Sequence, residues 1–191
     1  MQLILGSSSQ FRQAQLKQLG LEFTSISPNI DEEAIKTQGL TPFEVSRELS
    51  LQKAQEVLKT NQDAIIIGGD QVLNFNGEIF NKPETPQNAF NHLKRLQGQT
   101  HELITSIAVI TRDKQVIETV VSKMTMKRLT DDQIKRYIDI DEPLWSCGAY
   151  KLETLGIALF DTIECPDHSS IIGLPLISLS KILEGFGKKI L

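Results

Sequence analysis

Cysteine is nearly absent: Cys147 and Cys165 are the only two in 191 residues. Their separation fits no metal-ligand spacing and builds no disulfide framework, so they read as two free thiols of a reducing compartment. The three histidines, His92, His101 and His168, stand alone, which leaves zinc without a ligand set. No P-loop and no Gly-x-Ser-x-Gly elbow occurs. Positive charge is not in excess either. A net charge of -4 and a pI near 5.4 argue against a nucleic-acid polymer as partner, yet leave room for a single nucleotide held by a few local cations. No apolar run approaches the roughly 20 residues of a membrane helix. The opening MQLILGSSS lacks the charged start and apolar length of a signal peptide. The expectation is a soluble, cytoplasmic protein with no membrane partner.

What remains is an ordinary globular composition, 40% hydrophobic and 23% charged, in a chain long enough for one sizeable core drawn into two lobes. Leu3-Ile4-Leu5 reads as a buried strand, followed by a serine cluster and a helix through Leu16 and Leu19 that stops at Gly20. The stretch from Leu21 to Ser27 alternates like a strand, and Asp31-Glu32-Glu33 reads as an acidic loop. Thr41, Pro42 and Glu44 spell a capping box that starts a helix running to about Lys59. Ala64 to Ile67 is predicted as a strand released by Gly68 and Gly69, with a hairpin over Asn76-Gly77 beyond it. Thr85-Pro86 opens another helix, carrying Ala89, Phe90 and Leu93. Two long alternating segments, 102–111 and 115–128, form paired strands. Thr130 with Gln133 caps a further helix, Ile157 to Phe160 reads as a strand, and Leu176, Leu179 and Leu183 mark a last helix. Helices alternating with buried strands predict a mixed-sheet α/β domain over residues 1–191.

Asp70 stands at the exit of its predicted buried strand, a costly place for a carboxylate that nothing uses. The Gly6-Ser7-Ser8-Ser9 turn puts hydroxyls and free amides at a helix start, and Arg12 adds a fork of donors one turn later. This pattern fits a plain serine cap with a solvated arginine, or a phosphate site. Lys53 lies on the row Val45, Leu49, Lys53, Val57, so it either snorkels outward or reaches an internal anion. Lys82 precedes Pro83, which biases it towards an extended conformation. The acidic trio is either a solvated loop or, facing Asp70, a partner in holding a hard divalent cation. Acidic groups for a metal together with lysines and an arginine for phosphates are what phosphoanhydride chemistry requires.

These residues, in this order and spacing, make the chain resemble the Maf family of nucleoside triphosphate pyrophosphatases over nearly its whole length. The matching stretches are the opening Leu3 to Ser9 with Arg12, Asp31 to Glu33, Lys53, Gly68 to Gln71, Asn81 to Pro83, Gly148 to Tyr150, and Gly173 to Leu176. The family's proline two residues before the arginine is Gln10 here. The resemblance implies a mixed, elongated sheet flanked by helices with a central cleft between two lobes, similar to inosine-triphosphate pyrophosphatases. It implies a homodimer, a small-molecule nucleotide substrate, and hydrolysis of an NTP to NMP and pyrophosphate with Mg or Mn. On that footing Asp70 is the base or a metal holder and Glu33 a metal ligand. Arg12, Lys53 and Lys82 neutralise the phosphates, while Ser7 and Ser9 position them. The stretch from Glu142 to Phe160, with Glu153, Phe11 and Gln71, looks like the 7-methyl-GTP branch, whereas His101 looks like the dTTP/UTP branch. An aromatic face suits the cationic 7-methylguanine ring, and a carboxylate suits its N1–H and N2 donors. Alternatives are a dTTP/UTP pyrophosphatase or a nucleotide-binding cell-division regulator with little turnover.

Overall fold

The computed structural model describes residues 1–191. The strands are β1 (Gln2–Gly6), β2 (Thr24–Ser25), β3 (Ala64–Phe75), β4 (Glu78–Phe80), β5 (Thr100–Ile110), β6 (Gln115–Met126) and β7 (Phe160–Glu164). The helices are α1 (Gln10–Lys17), α2 (Glu32–Lys36), α3 (Pro42–Leu58), α4 (Pro86–Leu96), α5 (Asp131–Asp141) and α6 (Leu176–Gly185). Short 3-10 turns occupy Cys147–Ala149, Leu155–Leu159 and His168–Ile171. One mixed sheet runs in the order β2-β1-β3-β5-β6-β7, with β4 paired to β3. β1 is parallel to β2 and β3, whereas β4 and β7 are antiparallel to β3 and β6. The predicted mixed α/β class is what forms. No helix is long and apolar enough to cross a membrane.

The chain divides into two compact units, Met1–Gln71 with Thr105–Val120 and Asp167–Leu191, and Val72–Ile104 with Val121–Pro166. In the first unit the register Leu3↔Ile65, Ile4↔Ile66, Leu5↔Ile67 places like parities side by side. Odd positions of β1 and β3 join Leu16, Leu174, Leu179 and Leu183 in one core cluster. Even positions meet Ala54 and Val57 in a second. A sheet buried on both faces reads as a continuous apolar run, which is why Leu3 to Leu5 and Ala64 to Ile67 carry no polar alternation. In the second unit α4 and α5 pack together, with Ala89, Leu93, Leu96, Ile134, Tyr137 and Ile138 buried.

Four local expectations change. Gly68 and Gly69 do not release β3, which continues through Asp70 to Phe75. Glycine inside a strand here serves close approach, not a break. A Cβ at Gly68 would lie 2.1 Å from Ser50 O on α3. The segment from Leu21 to Ser27 shrinks to the exposed two-residue edge strand β2. The acidic trio is no loop, because Asp31 caps α2 through its bond from Ala34 N. The predicted strand at Ile157 is a 3-10 turn, and β7 starts only at Phe160. The chain is still turning there, since a Cβ on Gly156 would fall 2.3 Å from Lys151 O.

Candidate active site

Gly6 and Gly68 sit opposite each other in β1 and β3, and their bareness lets α3 descend onto the sheet. A Cβ on Gly6 would meet Lys53 O at 3.3 Å. Brought this close, Lys53 extends its ammonium to Asp70 Oδ1 at 2.6 Å and to Glu32 Oε1 at 2.8 Å. Lys53 and Asp70 are 7% and 5% exposed, so the lysine takes the internal-anion course. Ser46 holds the same stretch of β3 through Asp70 O at 3.4 Å and Ser106 Oγ at 2.9 Å, and Ser106 is bonded in turn to Thr119. A buried ion pair adds little net stability, because desolvation offsets the attraction. Its placement here is better explained by chemistry.

The second carboxylate at Lys53 is Glu32, not Glu33. Glu33 is 70% exposed at its side chain and pairs with Lys36 at 2.6 Å. Helical phase could have chosen between them. Ile35 is the buried position of α2, Glu32 shares its face three residues earlier, and Glu33 does not. Reading the trio as a loop removed that phase. Glu32 and Asp70 converging on one ammonium form a hard, oxygen-only donor pair. No three or more His, Cys, Asp or Glu side chains are grouped so as to hold a metal ion by themselves. Two carboxylates completed by waters and substrate phosphate oxygens suit Mg²⁺, so this donor set fits such a cation.

Along β3, Asp70 faces α3 while Gly69 and Gln71 face the opposite side. There Arg12 lies across two glycines. A Cβ at Gly69 would meet its Nε at 3.5 Å, and one at Gly173 would meet its Cγ and Nε at 3.3 Å. Arg12 Nε donates to Gly173 O at 3.1 Å, which leaves the two Nη groups as the end of the fork. Arg12 and Lys53 thus approach adjacent residues of one strand from opposite faces. Gln15, one turn after Arg12, grips the same loop: its amide donates to Ser169 O at 2.6 Å and its carbonyl accepts from Leu174 N at 3.0 Å. Asp167 completes the anchorage by accepting from Ile177 N at 2.9 Å and Ser178 N at 3.3 Å at the start of α6. Neither Gln15 nor Asp167 was singled out from sequence, since each acts across a loop that sequence spacing does not reveal.

Ser9 caps α1 through Arg12 N at 3.4 Å, and the buried Ser7 accepts from Ser9 N at 3.2 Å. Gln71 spends its amide nitrogen on Thr105 Oγ1, Ser170 O and Ile171 O, at 2.9, 2.9 and 3.0 Å. Phe11, on α1, is 48% exposed. Lys82 and Glu153 belong to the second unit, and both are exposed.

In that second unit His101 is 2% exposed, its Nε2 2.8 Å from the Tyr150 hydroxyl and its Nδ1 without a hydrogen-bond partner. Burial pushes its pKa from 6.5 down to about 4. Between those values the unfolded chain takes up a proton that the folded chain refuses. Stability is therefore full above pH 6.5 and falls, by up to about 3 kcal/mol, as the pH drops towards 4. Urea unfolding across this window should show a shallower pH slope in His101→Gln than in wild type. Identical slopes would rule the assignment out.

A mixed sheet whose parallel strands β1 and β3 are buried on both faces, with an ammonium clamped between carboxylates beside β3, defines an α/β protein equipped for anionic substrates. A HAM1 protein from Coxiella burnetii shares the fold, with a TM-score of 0.50 at 16% identity over 97% of this chain and 99% of that one. The chain belongs to the Maf family, whose description is Maf-like protein and whose match spans residues 2–186. It is 43% identical over 183 residues, 96% of each chain, to a 7-methyl-GTP pyrophosphatase of Bdellovibrio bacteriovorus. It is 42% identical to a nucleoside triphosphate pyrophosphatase of Nitrobacter hamburgensis, over 97% of this chain and 94% of the relative. A dTTP/UTP pyrophosphatase of Dictyoglomus turgidum is 36% identical, over 100% of this chain and 98% of the relative.

Proposed function

We propose that this protein hydrolyses 7-methyl-GTP to the nucleoside monophosphate and pyrophosphate, removing a modified nucleotide before it is incorporated. It is a hydrolase of the nucleoside triphosphate pyrophosphatase class. The observation that carries the reaction is the buried Lys53 clamped between Asp70 and Glu32. Asp70 accepts the proton of a water whose oxygen bonds to the α-phosphorus, and the bond to the bridging oxygen of the departing pyrophosphate breaks. Lys53 and Arg12 offset the negative charge that grows on the phosphates, and the Ser7–Ser9 turn orients their oxygens. Lys82 is assigned to the same anion by the family resemblance alone. A divalent cation, Mg or Mn, would be held by Asp70 and Glu32, and would supply Lewis acidity and a more acidic water. The enzyme acts in this reading as a cytoplasmic homodimer.

The choice of 7-methylguanine rests on the family resemblance at Phe11, an exposed ring suited to a cationic base, and at Glu153, an exposed carboxylate suited to its donors. The Bdellovibrio relative's name agrees with it. His101 and the Dictyoglomus relative favour dTTP and UTP instead. The decisive experiment measures pyrophosphate release by purified protein from a panel of ordinary and methylated NTPs with Mg²⁺ or Mn²⁺. Fastest release from 7-methyl-GTP is the expected result. Release chiefly from dTTP and UTP would overturn the base assignment, and no release from any nucleotide would leave a binding regulator.

A further inference from the structure

The exposed Glu153 sits in a turn that is held by two hydrogen bonds from the end of α5. The Tyr137 phenol oxygen accepts from Lys151 N at 3.0 Å. The Asp141 carboxylate, four residues on along the same helix, adds to the upward push that burial gives this phenol. Asp141 Oδ2 also accepts from Thr154 Oγ1 at 2.7 Å, and the Thr154 hydroxyl lies 3.2 Å from Lys151 O as well. The two bonds from α5 therefore grip the turn at Lys151 and Thr154, with Glu153 between them. Beyond it, Gly156 packs so tightly on Lys151 that a Cβ would stand 2.3 Å from Lys151 O and 2.8 Å from its nitrogen.

Several features of this bracing exceed what a helix end needs. A carboxylate in the last turn of a helix opposes the dipole, which favours cations there. Asp141 nonetheless occupies the final position of α5 and is 9% exposed. The α5 C-terminus already has its own stop in Glu142, left-handed at φ 44°, whose amide bonds Ile138 O at 2.9 Å. The Glu153 carboxylate is close enough to add to the upward push that burial gives the Tyr137 phenol. An exposed acidic side chain on a loose turn would sample many positions, and ordering it on binding costs affinity. A braced turn removes that cost in advance.

We propose that Tyr137 and Asp141 are positioning residues for nucleobase selection, acting through the Lys151–Thr154 turn to hold the Glu153 carboxylate in one place. This rests on the reading of Glu153 as the group that accepts from the guanine edge. The test is steady-state kinetics on 7-methyl-GTP and UTP for Glu153→Gln, Tyr137→Phe, Thr154→Val and Thr154→Ser, with circular dichroism to show that each is folded. Tyr137→Phe and Thr154→Val should each raise KM for 7-methyl-GTP about fivefold or more with kcat within about twofold, and leave UTP unmoved. Thr154→Ser, which keeps the hydroxyl, should restore the wild-type KM. If Tyr137→Phe fails to fold, Thr154→Val carries the same test. Discrimination lost in Glu153→Gln but kept in Tyr137→Phe and Thr154→Val would overturn the positioning role alone. Discrimination kept in Glu153→Gln would overturn the Glu153 reading and the positioning role with it. A kcat lowered equally for both nucleotides would mark the bracing as merely structural and overturn the proposal.

Discussion

Asp70→Asn should lower turnover by a factor on the order of 10² or more while the chain stays folded. The amide keeps the shape of the carboxylate and can still meet Lys53, but it cannot take a proton from water. Removing one partner of a buried pair usually strands the other charge, at about 3–5 kcal/mol. Here Glu32 remains 2.8 Å from the Lys53 ammonium. The charge is therefore not abandoned, and the cost should be nearer the ~1–3 kcal/mol of a hydrogen bond weakened in a buried site. Pyrophosphate release and urea unfolding, measured on the same preparation, separate the two effects. Turnover near that of wild type would remove Asp70 from the reaction. A midpoint collapse with proportionate loss of activity would make it a structural group.

Much of this arrangement was legible in the sequence because it is written in local rules. The capping boxes at Thr41–Glu44 and Thr130–Gln133 form as their spacing requires. The Asn76-Gly77 turn closes β3 onto β4 with φ of 55° and 89°. Asp70 is buried and charge-paired, as the cost of an idle carboxylate demands. Lys53 illustrates the limit. Its row on α3 is visible from period alone, but whether it snorkels or turns inward depends on how near α3 approaches the sheet. That distance is set by Gly6, which does end β1, and by Gly68, which looks like a strand end but lies inside β3. Glu32 and Glu33 show a related limit, since a five-residue helix with one buried position reveals its phase only once it is read as a helix. Gln15 and Asp167 were out of reach for a different reason: their bonds run mostly to backbone atoms between Ser169 and Ser178, and backbone has no sequence signature.

Gly68 is where this dependence can be tested most sharply. Gly68→Ala should destabilise the protein by about 3 kcal/mol or more, at the upper end of overpacking costs. The added methyl would fall 2.1 Å from Ser50 O, 2.8 Å from Ala54 N and 2.9 Å from Ala54 Cβ. Two of these three atoms are helix backbone and cannot swing aside, so α3 itself must lift from β3. Lifting α3 carries Lys53 away from Asp70, and activity should fall further than the loss of folded protein accounts for. Gly69→Ala, one residue on, is the control for strand glycine as such. Its methyl would meet Leu174 Cδ2 at 3.3 Å and the Arg12 side chain at 3.5 Å. Both neighbours are side chains that can give by a few tenths of an ångström, so its unfolding midpoint should move far less. Equal midpoints for the two variants would mean that Gly68 does not set the height of α3. The placement of Lys53 would then need another cause.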